Sequence, residues 1–348
     1  MEQVPVQTEN TSVLMKILIG AFSILVTFLT VLLPWQIQYR FSFFLAKSSF
    51  WLMKHSDLFY RKALEAKSVG IGKATLTKGE RNNHPRLEQG RGKRDVALLF
   101  SGGSDSTLAA IRLLKEFDKI HLLTFDHDAI PDKGKRSFTN VELLHKRFGK
   151  ERFVHKIINI QDILNQVYRK SRLHDLRRYG FFEVNICAAC KLSMYLAMIK
   201  YCLVNNISFA ASGSNKDAGD LISDQMVKVS ELLEEFFKKQ GITFMTPVYD
   251  VDRSDWELFD LGFTKERDTK ARAARSANTQ QAYCENSFPY MIYAKGYHVP
   301  RYGQKSLEDT SVKWYEEKTA QYIDKISDIV LSPGKEPYKE IARLEIKQ

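Results

Sequence analysis

Residues 96–106 read VALLFSGGSDS, and this stretch decides the fold. Val96–Phe100 is a short apolar run bounded by turn residues, which is typical of a buried parallel strand. The turn Ser101–Ser106 follows, and after it Thr107–Phe117 (TLAAIRLLKEF) has the apolar spacing of a helix. Glycines let a backbone approach an anion, and the N–H groups at a helix N-terminus favour negative charge. The stretch therefore predicts a phosphate-binding loop.

The loop differs from the two best-known phosphate-binding motifs. A Walker A loop ends in Gly-Lys-Ser/Thr, which is missing here, and Gly102-Gly103 does not give the Gly-x-Gly-x-x-Gly of a dinucleotide fold. Ser101, Ser104 and Ser106 instead place hydroxyl donors beside the glycines. A serine–glycine turn without function is the alternative, which the complete order of strand, loop and helix disfavours.

Outside the loop, short apolar runs alternate with helical patterns. The runs that predict further strands are Ile120–Phe125, Val154–Ile158 and Ile207–Ala211. The patterns that predict further helices are Thr139–Phe148, Gln161–Tyr168, Lys191–Val204 and Leu307–Leu331. This alternation indicates an α/β domain with a mostly parallel sheet flanked by helices. Ligands of such sheets bind at the carboxyl ends of the strands.

The unit of strand, SGGSDS loop and helix resembles the PP-loop of the N-type ATP pyrophosphatases, a superfamily of Rossmann-type α/β enzymes related to the adenine nucleotide alpha hydrolases. The nearest likeness is to the tRNA 2-thiocytidine synthetases and the 7-cyano-7-deazaguanine synthases. Members split ATP into AMP and pyrophosphate and adenylate a substrate oxygen before a nucleophile displaces AMP. The resemblance implies that ATP phosphates are held by Ser101, Gly102, Gly103, Ser104, Asp105 and Ser106. It also implies that Asp105 positions Mg²⁺ and that Asp105 and Ser106 act in catalysis.

Two later stretches extend the resemblance. Leu122–Lys133 (LLTFDHDAIPDK) looks like the second strand of the family, whose end lines the adenine pocket. On this likeness, Phe125 and Asp126 would contact the base. Thr246–Gly262 (TPVYDVDRSDWELFDLG) looks like the family's region of a proline, an acidic helix and Leu-Gly. The resemblance spans roughly residues 95–290, and the loop is its one highly specific motif.

The segment Phe209–Asp220 (FAASGSNKDAGD) resembles the strand and loop that complete the nucleotide site of the family. The likeness implies that Ser212 and Gly213 bind the nucleotide. Asp217 and Asp220 are either further Mg²⁺ ligands or solvated acids of a loop, and both interpretations stay open.

Three cysteines suggest metal or sulfur chemistry. Cys187 and Cys190 form a Cys-x-x-Cys between two predicted elements, and Cys284 lies further along the chain. In the 2-thiocytidine synthetase-like members, cysteines in this order bind an iron–sulfur cluster or pass sulfur through a persulfide. The resemblance makes all three catalytic residues, or ligands of a [4Fe–4S] cluster or of Zn²⁺. Zinc needs a fourth ligand, for which His298 is a candidate.

The cysteine pattern also has a simpler explanation, because an isolated Cys-x-x-Cys can arise by chance. Lys191-Leu-Ser stands where the family tends to have an arginine-rich run. Cys202 lies inside a predicted helix, where a buried structural thiol is expected. Four cysteines in 348 residues argue against a disulfide scaffold.

The N-terminal part predicts a membrane anchor. Residues 17–33 (ILIGAFSILVTFLTVLL) are uncharged and apolar, and residues 13–34 would cross a hydrocarbon core of roughly 30 Å. A cleaved signal peptide is the alternative, which the acidic start and the missing cleavage site disfavour. Basic residues follow the span, so the positive-inside rule places the body in the cytoplasm, at the inner membrane if the source is bacterial. Residues 39–60 would form an interfacial helix or a buried core helix.

The net charge of +11 is divided unevenly along the chain. Residues 61–95 hold ten Lys or Arg and four Asp or Glu, which is more than half of the excess. A basic linker beside a membrane span fits attraction to anionic lipid better than binding of nucleic acid. Two basic clusters of the body, Tyr168–Gly180 and Lys265–Arg275, would either grip a phosphate backbone or be solvated helix faces.

Together these observations predict an anchor at 1–60, the linker at 61–94, a PP-loop domain at 95–305 and a C-terminal helix and tail at 306–348. The expected activity is that of a ligase or transferase that uses ATP and Mg²⁺ to adenylate a substrate oxygen at a membrane and then transfers nitrogen or sulfur. The expected partners are membrane lipid, a small-molecule or glycan substrate and a sulfur or ammonia donor protein, with tRNA less favoured.

The alternatives are a tRNA thiolation enzyme with a three-cysteine iron–sulfur or persulfide site and a non-catalytic ATP-binding membrane sensor. An apolar content of 44% and a charged content of 27% exclude an intrinsically disordered chain.

Overall fold

The computed structural model describes residues 94–128, 137–216, 222–264, 290 and 292–334. The predicted membrane span, interfacial helix and linker lie outside these residues. So do Asp217, Asp220, Cys284 and the basic cluster Lys265–Arg275. What the sequence predicts for them stays a prediction.

Six strands form one sheet in the described part of the chain. They are β1 (Asp95–Leu99), β2 (Lys119–Asp126), β3 (Phe153–Asn159), β4 (Phe209–Ser212), β5 (Thr243–Met245) and β6 (Ser332–Pro333). The spatial order is β5-β4-β1-β2-β3-β6, and all neighbours are parallel except β3 and β6. The predicted α/β class with a mostly parallel sheet is confirmed.

Helices connect the strands and cover the sheet. They are α1 (Ser104–Leu113), α2 (Ser137–Phe148), α3 (Gln161–Leu164), α4 (Arg172–Tyr179), α5 (Ile186–Val204), α6 (Val227–Lys239), α7 (Ser254–Asp260) and α8 (Val299–Tyr322). Short 3₁₀ or π-helical turns lie at Lys150–Arg152, Asn165–Arg169, Gly180–Val184, Ser223–Gln225, Ile292–His298 and Ile323–Asp328.

The central strand β1 is buried on both faces. Val96 and Leu98 belong to one core cluster, together with residues of α1, α2 and α7. Ala97 and Leu99 belong to the other, with residues of α3, α5, α6 and α8. Side chains alternate across a strand, so a strand between two helical layers needs apolar residues at every position. This explains the continuous apolar run that the sequence shows.

The order of the strands creates a crevice beside β1. After β1 the chain adds β2 and β3 on one side, and then places β4 on the other side of β1. The connections that leave β1 and β4 therefore diverge at the carboxyl ends of the strands. Open α/β sheets bind their ligands at such switch points.

The helix that carries the Cys-x-x-Cys begins earlier than predicted. α5 starts at Ile186, five residues before the predicted start at Lys191. Asn185 caps this helix, because its side-chain oxygen accepts a hydrogen bond of 3.1 Å from the N–H of Ala188. The two cysteines thus lie in the first turns of a helix and not in the segment ahead of it.

The C-terminal helix also differs from its prediction. α8 spans Val299–Tyr322 instead of Leu307–Leu331, and Gly303 interrupts its helical geometry with a φ of 81°. A 3₁₀ turn follows, and the chain then reaches β6 at the edge of the sheet. The predicted helix over Gln161–Tyr168 is the single turn α3 with a π-helical turn behind it.

Among the described residues, α5 alone is long and apolar enough to cross a membrane by length and composition. Of its most apolar window, 67% is buried inside the fold. Such burial is that of a core helix between the sheet and its neighbours.

Candidate functional site

The turn between β1 and α1 is closed by its own serines. The Ser101 hydroxyl accepts from the N–H of Gly103 at 3.2 Å and lies 3.2 Å from the Ser106 hydroxyl. Ser106 also donates to the carbonyl of Gly103 at 3.1 Å. Gly102 has a φ of +78°, and a Cβ there would lie 2.6 Å from Cα of Ser137. Both conformation and space therefore require glycine at this position.

The end of β4 touches this turn. A Cβ on Gly213 would lie 2.7 Å from the backbone nitrogen of Ser106 and 2.9 Å from the carbonyl carbon of Asp105. The neighbouring Ser212 is buried, and its hydroxyl lies 2.7 Å from that of Ser214. The structure thus brings the predicted phosphate loop and the predicted Ser212–Gly213 pair together at the crevice between β1 and β4.

Asn140 fixes the loop from the side of α2. Its buried amide donates to the carbonyl of Gly102 at 2.7 Å and lies 3.2 Å from the hydroxyl of Thr107. The sequence motifs do not point to this residue. An asparagine within an amphipathic helix carries no signal until the fold places it against the loop.

His155 supports the same loop from β3. Its Nε2 lies 3.0 Å from the hydroxyl of Thr124 and 3.3 Å from that of Ser137. Thr124 in turn donates to the carbonyl of Phe100 at 2.8 Å, at the end of β1. Burial lowers the pKa of His155 to about 4, so the imidazole is neutral at physiological pH.

Asp105 lies in the first turn of α1 and is half-buried. A carboxylate beside a phosphate-binding loop suits Mg²⁺, which prefers one or two carboxylates together with phosphate oxygens. The donor set at the loop therefore fits a magnesium nucleotide.

The end of β2 lies at the same edge of the sheet and is buried. Phe125 is 5% exposed and packs in the core cluster that includes α5, and Asp126 is fully buried. The predicted contact of Phe125 and Asp126 with adenine would require these side chains to become accessible. The next residue, His127, is 2% exposed.

The Cys-x-x-Cys reaches this edge from the helical layer. α5 leads back to the start of β4, so its first turns lie near the carboxyl ends of the strands. The sulfur of Cys190 lies 3.4 Å from Nε2 of His127, and both Cys187 and Cys190 are partly exposed. Two thiols and an imidazole form a donor set that suits zinc or iron.

Asp224 ties the turn after β4 to α5. This buried carboxylate lies 3.2 Å from the ammonium of Lys191 and accepts a hydrogen bond of 2.8 Å from the hydroxyl of Tyr195. Burial, followed by the charge of Asp224, raises the pKa of Tyr195 well above its usual value, so the hydroxyl keeps its proton. In the sequence Lys191 stands out only as a departure from the family pattern, and the fold alone reveals its acidic partner.

Two further predictions concern side chains away from the crevice. Both ring nitrogens of His298 are engaged, at 2.7 Å from the hydroxyl of Tyr293 and 3.2 Å from that of Ser306. The suggestion that His298 is a fourth zinc ligand stays a prediction. Cys202 is fully buried, and burial raises the pKa of its thiol to about 12, as expected of a structural cysteine.

Two arginines of the basic cluster Tyr168–Gly180 are paired with acids. Arg172 binds Glu183 at 2.6 Å, and Arg178 binds Glu317 at 2.5 Å. His174, Asp175 and Glu317 lie close enough to hold a metal ion, but the carboxylate of Asp175 already contacts the buried ammonium of Lys318 at 2.8 Å. Part of this surface is therefore a network of ion pairs.

No family model matches the chain. Among solved structures, a predicted subunit of tRNA methyltransferase from Methanocaldococcus jannaschii is 24% identical, with a TM-score of 0.30 over 45% of this chain and 69% of its own. A 4-thiouridine synthetase in complex with RNA and bound ATP is 16% identical, with a TM-score of 0.40 over 70% of this chain and 55% of its own. This chain thus spans about half the length of that synthetase.

The U34-tRNA thiolase NcsA from Methanococcus maripaludis, with its [4Fe–4S] cluster, is 15% identical, with a TM-score of 0.31 over 65% of this chain and 72% of its own. Likenesses of this size do not say what the present chain binds or does.

Proposed function

We propose that this chain binds ATP with Mg²⁺ at the crevice between β1 and β4 and transfers the adenylyl group to a substrate oxygen as pyrophosphate leaves. A nitrogen or sulfur nucleophile then displaces AMP from that oxygen's carbon. The observation that carries the proposal is the contact of Gly213 with Ser106, which leaves no room for a side chain between the end of β4 and the loop. A loop without side-chain bulk, at a helix N-terminus and at a switch point, is suited to phosphate.

Different groups of the loop would bind different parts of the magnesium nucleotide. The N–H groups of Ser101–Ser106 and the hydroxyls of its serines would bind phosphate oxygens, and the carboxylate of Asp105 would hold Mg²⁺. Asn140 and His155 would act as positioning residues, because they fix the backbone on either side of the loop. The bond that breaks joins the α-phosphorus to the bridging oxygen, and pyrophosphate leaves with its electron pair.

The nucleophile that displaces AMP would be nitrogen or sulfur, and the cysteines are the feature that fits sulfur. Cys190 contacts His127 at the end of β2, on the strand next to the one that carries the loop. Transfer of sulfur to tRNA is the second candidate, and the basic cluster Tyr168–Gly180 is the surface that tRNA would contact. A small-molecule or glycan substrate at the cytoplasmic face of a membrane follows from the predicted anchor alone.

The test is the identity of the adenosine product. The full chain is incubated with ATP labelled at the α-phosphate and Mg²⁺, with total tRNA or the small-molecule fraction of a cell extract as the source of substrate. We expect labelled AMP and pyrophosphate, and at least a hundredfold loss in Asp105→Asn, because a residue that holds a catalytic metal is lost. Asp118→Asn is the matched control, since that side chain is exposed and directly precedes β2, at the amino ends of the strands and therefore at the edge of the sheet opposite the loop.

Formation of ADP and phosphate would contradict the proposal. ATP that binds but is not cleaved with either substrate source would support the non-catalytic sensor instead. In that case Asp105→Asn should leave binding of a membrane partner unchanged. Formation of AMP with tRNA only would select the second candidate.

A further inference from the structure

A buried carboxylate, Asp224, joins the turn that precedes α6 to the long helix α5. It is 2% exposed, and one of its oxygens accepts a hydrogen bond of 2.8 Å from the hydroxyl of Tyr195. The same oxygen lies 3.2 Å from the ammonium of Lys191. The two partners are four residues apart on α5 and therefore lie on the same side of that helix. A carboxylate is buried at low cost only when it is paired and hydrogen-bonded, and Asp224 is both.

The hydroxyl of Tyr195 also contacts the two serines on either side of Gly213. Burial, followed by the carboxylate, raises the pKa of Tyr195, and hydrogen bonds from the hydroxyls of Ser214 and Ser212 act in the opposite direction. Because the one phenolic proton is donated to the carboxylate, the phenolic oxygen can only accept from the serines. The serine hydroxyls lie 2.7 Å apart, and Gly213 between them is the residue that touches the phosphate loop.

The turn that carries Asp224 is fixed at both of its other residues. The side-chain oxygen of Gln225 accepts from the N–H of Asn215 at 2.9 Å, directly after the serine pair. The hydroxyl of Ser223 accepts from the amide of Asn185, the cap of α5, at 2.8 Å. The end of β4 is therefore bonded through this turn to the rigid helix α5.

We propose that Tyr195 and Asp224 are positioning residues for ATP, which fix Ser212 and Gly213 at the distance from the phosphate loop that the nucleotide requires. Lys191 compensates the charge of the buried carboxylate. The three residues act through the serine pair and the backbone of Gly213. This inference rests on the proposed function, because it requires ATP at the crevice between β1 and β4.

The test is Tyr195→Phe, which removes the hydroxyl alone. Calorimetric titration of the full chain with ATP and Mg²⁺ measures the result. We expect the Kd to rise about tenfold, because the serines lose the buried acceptor that orients them. A variant that is only less stable would show fewer binding sites per chain at an unchanged Kd.

Tyr201→Phe is the matched control. Tyr201 lies on the same helix, and its hydroxyl is 2.9 Å from Nδ1 of His121, near the start of β2 and thus toward the edge of the sheet opposite the loop. This change also removes one hydroxyl and one hydrogen bond from a tyrosine of α5. The loss of stability in urea unfolding should therefore be similar, while the Kd for ATP stays within about twofold of the parent.

A pair of variants at Lys191 tests the charge. Lys191→Arg keeps the cation beside Asp224, and its Kd for ATP should stay within about twofold of the parent. Lys191→Met leaves the buried carboxylate without a compensating charge, and its Kd should rise about tenfold. Equal Kd values in these two folded variants would contradict a role for the ion pair.

Amide hydrogen exchange measures the positioning without any nucleotide. In Tyr195→Phe, residues 209–216 should exchange roughly tenfold faster than in the parent, because the end of β4 is held less firmly. In Tyr201→Phe the same residues should exchange like the parent.

The outcomes separate this inference from the proposed function. A parent chain that does not bind ATP would overturn the proposed function and this inference with it. A parent that binds ATP, together with unchanged affinity and unchanged exchange in Tyr195→Phe, would overturn the inference alone. Equal losses of affinity in the two tyrosine variants would also overturn it.

Discussion

Gly213→Ala is the substitution that tests the nucleotide site most directly. The new Cβ would lie 2.7 Å from the nitrogen and 2.8 Å from Cα of Ser106, and both atoms belong to the backbone. Ordinary contact begins at 3.4 Å, so the end of β4 and the loop must separate by roughly 0.7 Å. Overpacking of this kind costs about 1–3 kcal/mol of stability.

The larger effect of Gly213→Ala should be on the affinity for ATP. A displacement of roughly 0.7 Å lengthens a hydrogen bond of about 2.9 Å to about 3.6 Å, at which it no longer counts as one. A hydrogen bond to a charged group is worth about 1.5–3 kcal/mol, so the Kd for ATP with Mg²⁺ should rise roughly 10- to 150-fold for each bond lost. Calorimetric titration of the folded variant measures this directly.

Gly241→Ala is the matched control for this experiment. Gly241 has a φ of +72°, and nothing lies within 4 Å of the point that a Cβ would occupy, so alanine there costs about 1–2 kcal/mol through backbone strain alone. Its ATP affinity should be unchanged. Equal losses of affinity in both variants, or normal affinity in Gly213→Ala, would refute the reasoning that places the nucleotide between β4 and the loop.

Three further predictions concern stability and the support of the loop. Asn140→Ala should raise the Kd for ATP about tenfold and lower the free energy of unfolding by about 1–3 kcal/mol, measured by titration and by urea unfolding, because the carbonyl of Gly102 loses its buried donor. His155 is neutral in the folded protein, whereas in the unfolded chain it is protonated below pH 6.5. The free energy of unfolding should therefore fall by up to about 3 kcal/mol as the pH drops from 6.5 to about 4. Urea unfolding at several pH values measures this fall, and His155→Gln should abolish the contribution of His155 to it. Asp175→Asn should cost about 3–5 kcal/mol in thermal unfolding, because it leaves the ammonium of Lys318 buried with its charge uncompensated, and a loss below about 1 kcal/mol would contradict this.

The elements that the sequence predicts best are those that are determined by residues adjacent to one another in the sequence. Val96–Phe100 is apolar at every position because both faces of β1 are covered, and the glycine and serine spacing of the loop follows from backbone geometry at Gly102. The fourth strand and the acidic helix α7 are also recognisable, the latter through its resemblance to the family. In each case, neighbours in sequence supply the reason for the structure.

The relations that the sequence does not reveal are made by packing between distant segments. Asn140 and Gly102 are 38 residues apart, and Cys190 and His127 are 63 apart. No periodicity or spacing connects such pairs, because the sheet order decides which loops meet. The early start of α5 escapes prediction for a local reason, since the cap is an asparagine without the acidic third residue of a capping box.

The position of the basic residues bears on the choice of partner. Within the described residues, Arg112 is bonded to Glu257, Arg172 to Glu183 and Arg178 to Glu317, so these cations of the folded body are matched by carboxylates. A phosphate backbone would have to displace these acids, and each exchange breaks one ion pair for every ion pair that forms. More than half of the net positive charge of the sequence lies at residues 61–95, beside the predicted membrane span. If this segment binds anionic lipid, as the sequence predicts, removal of residues 1–94 should abolish binding to anionic vesicles but leave ATP affinity intact.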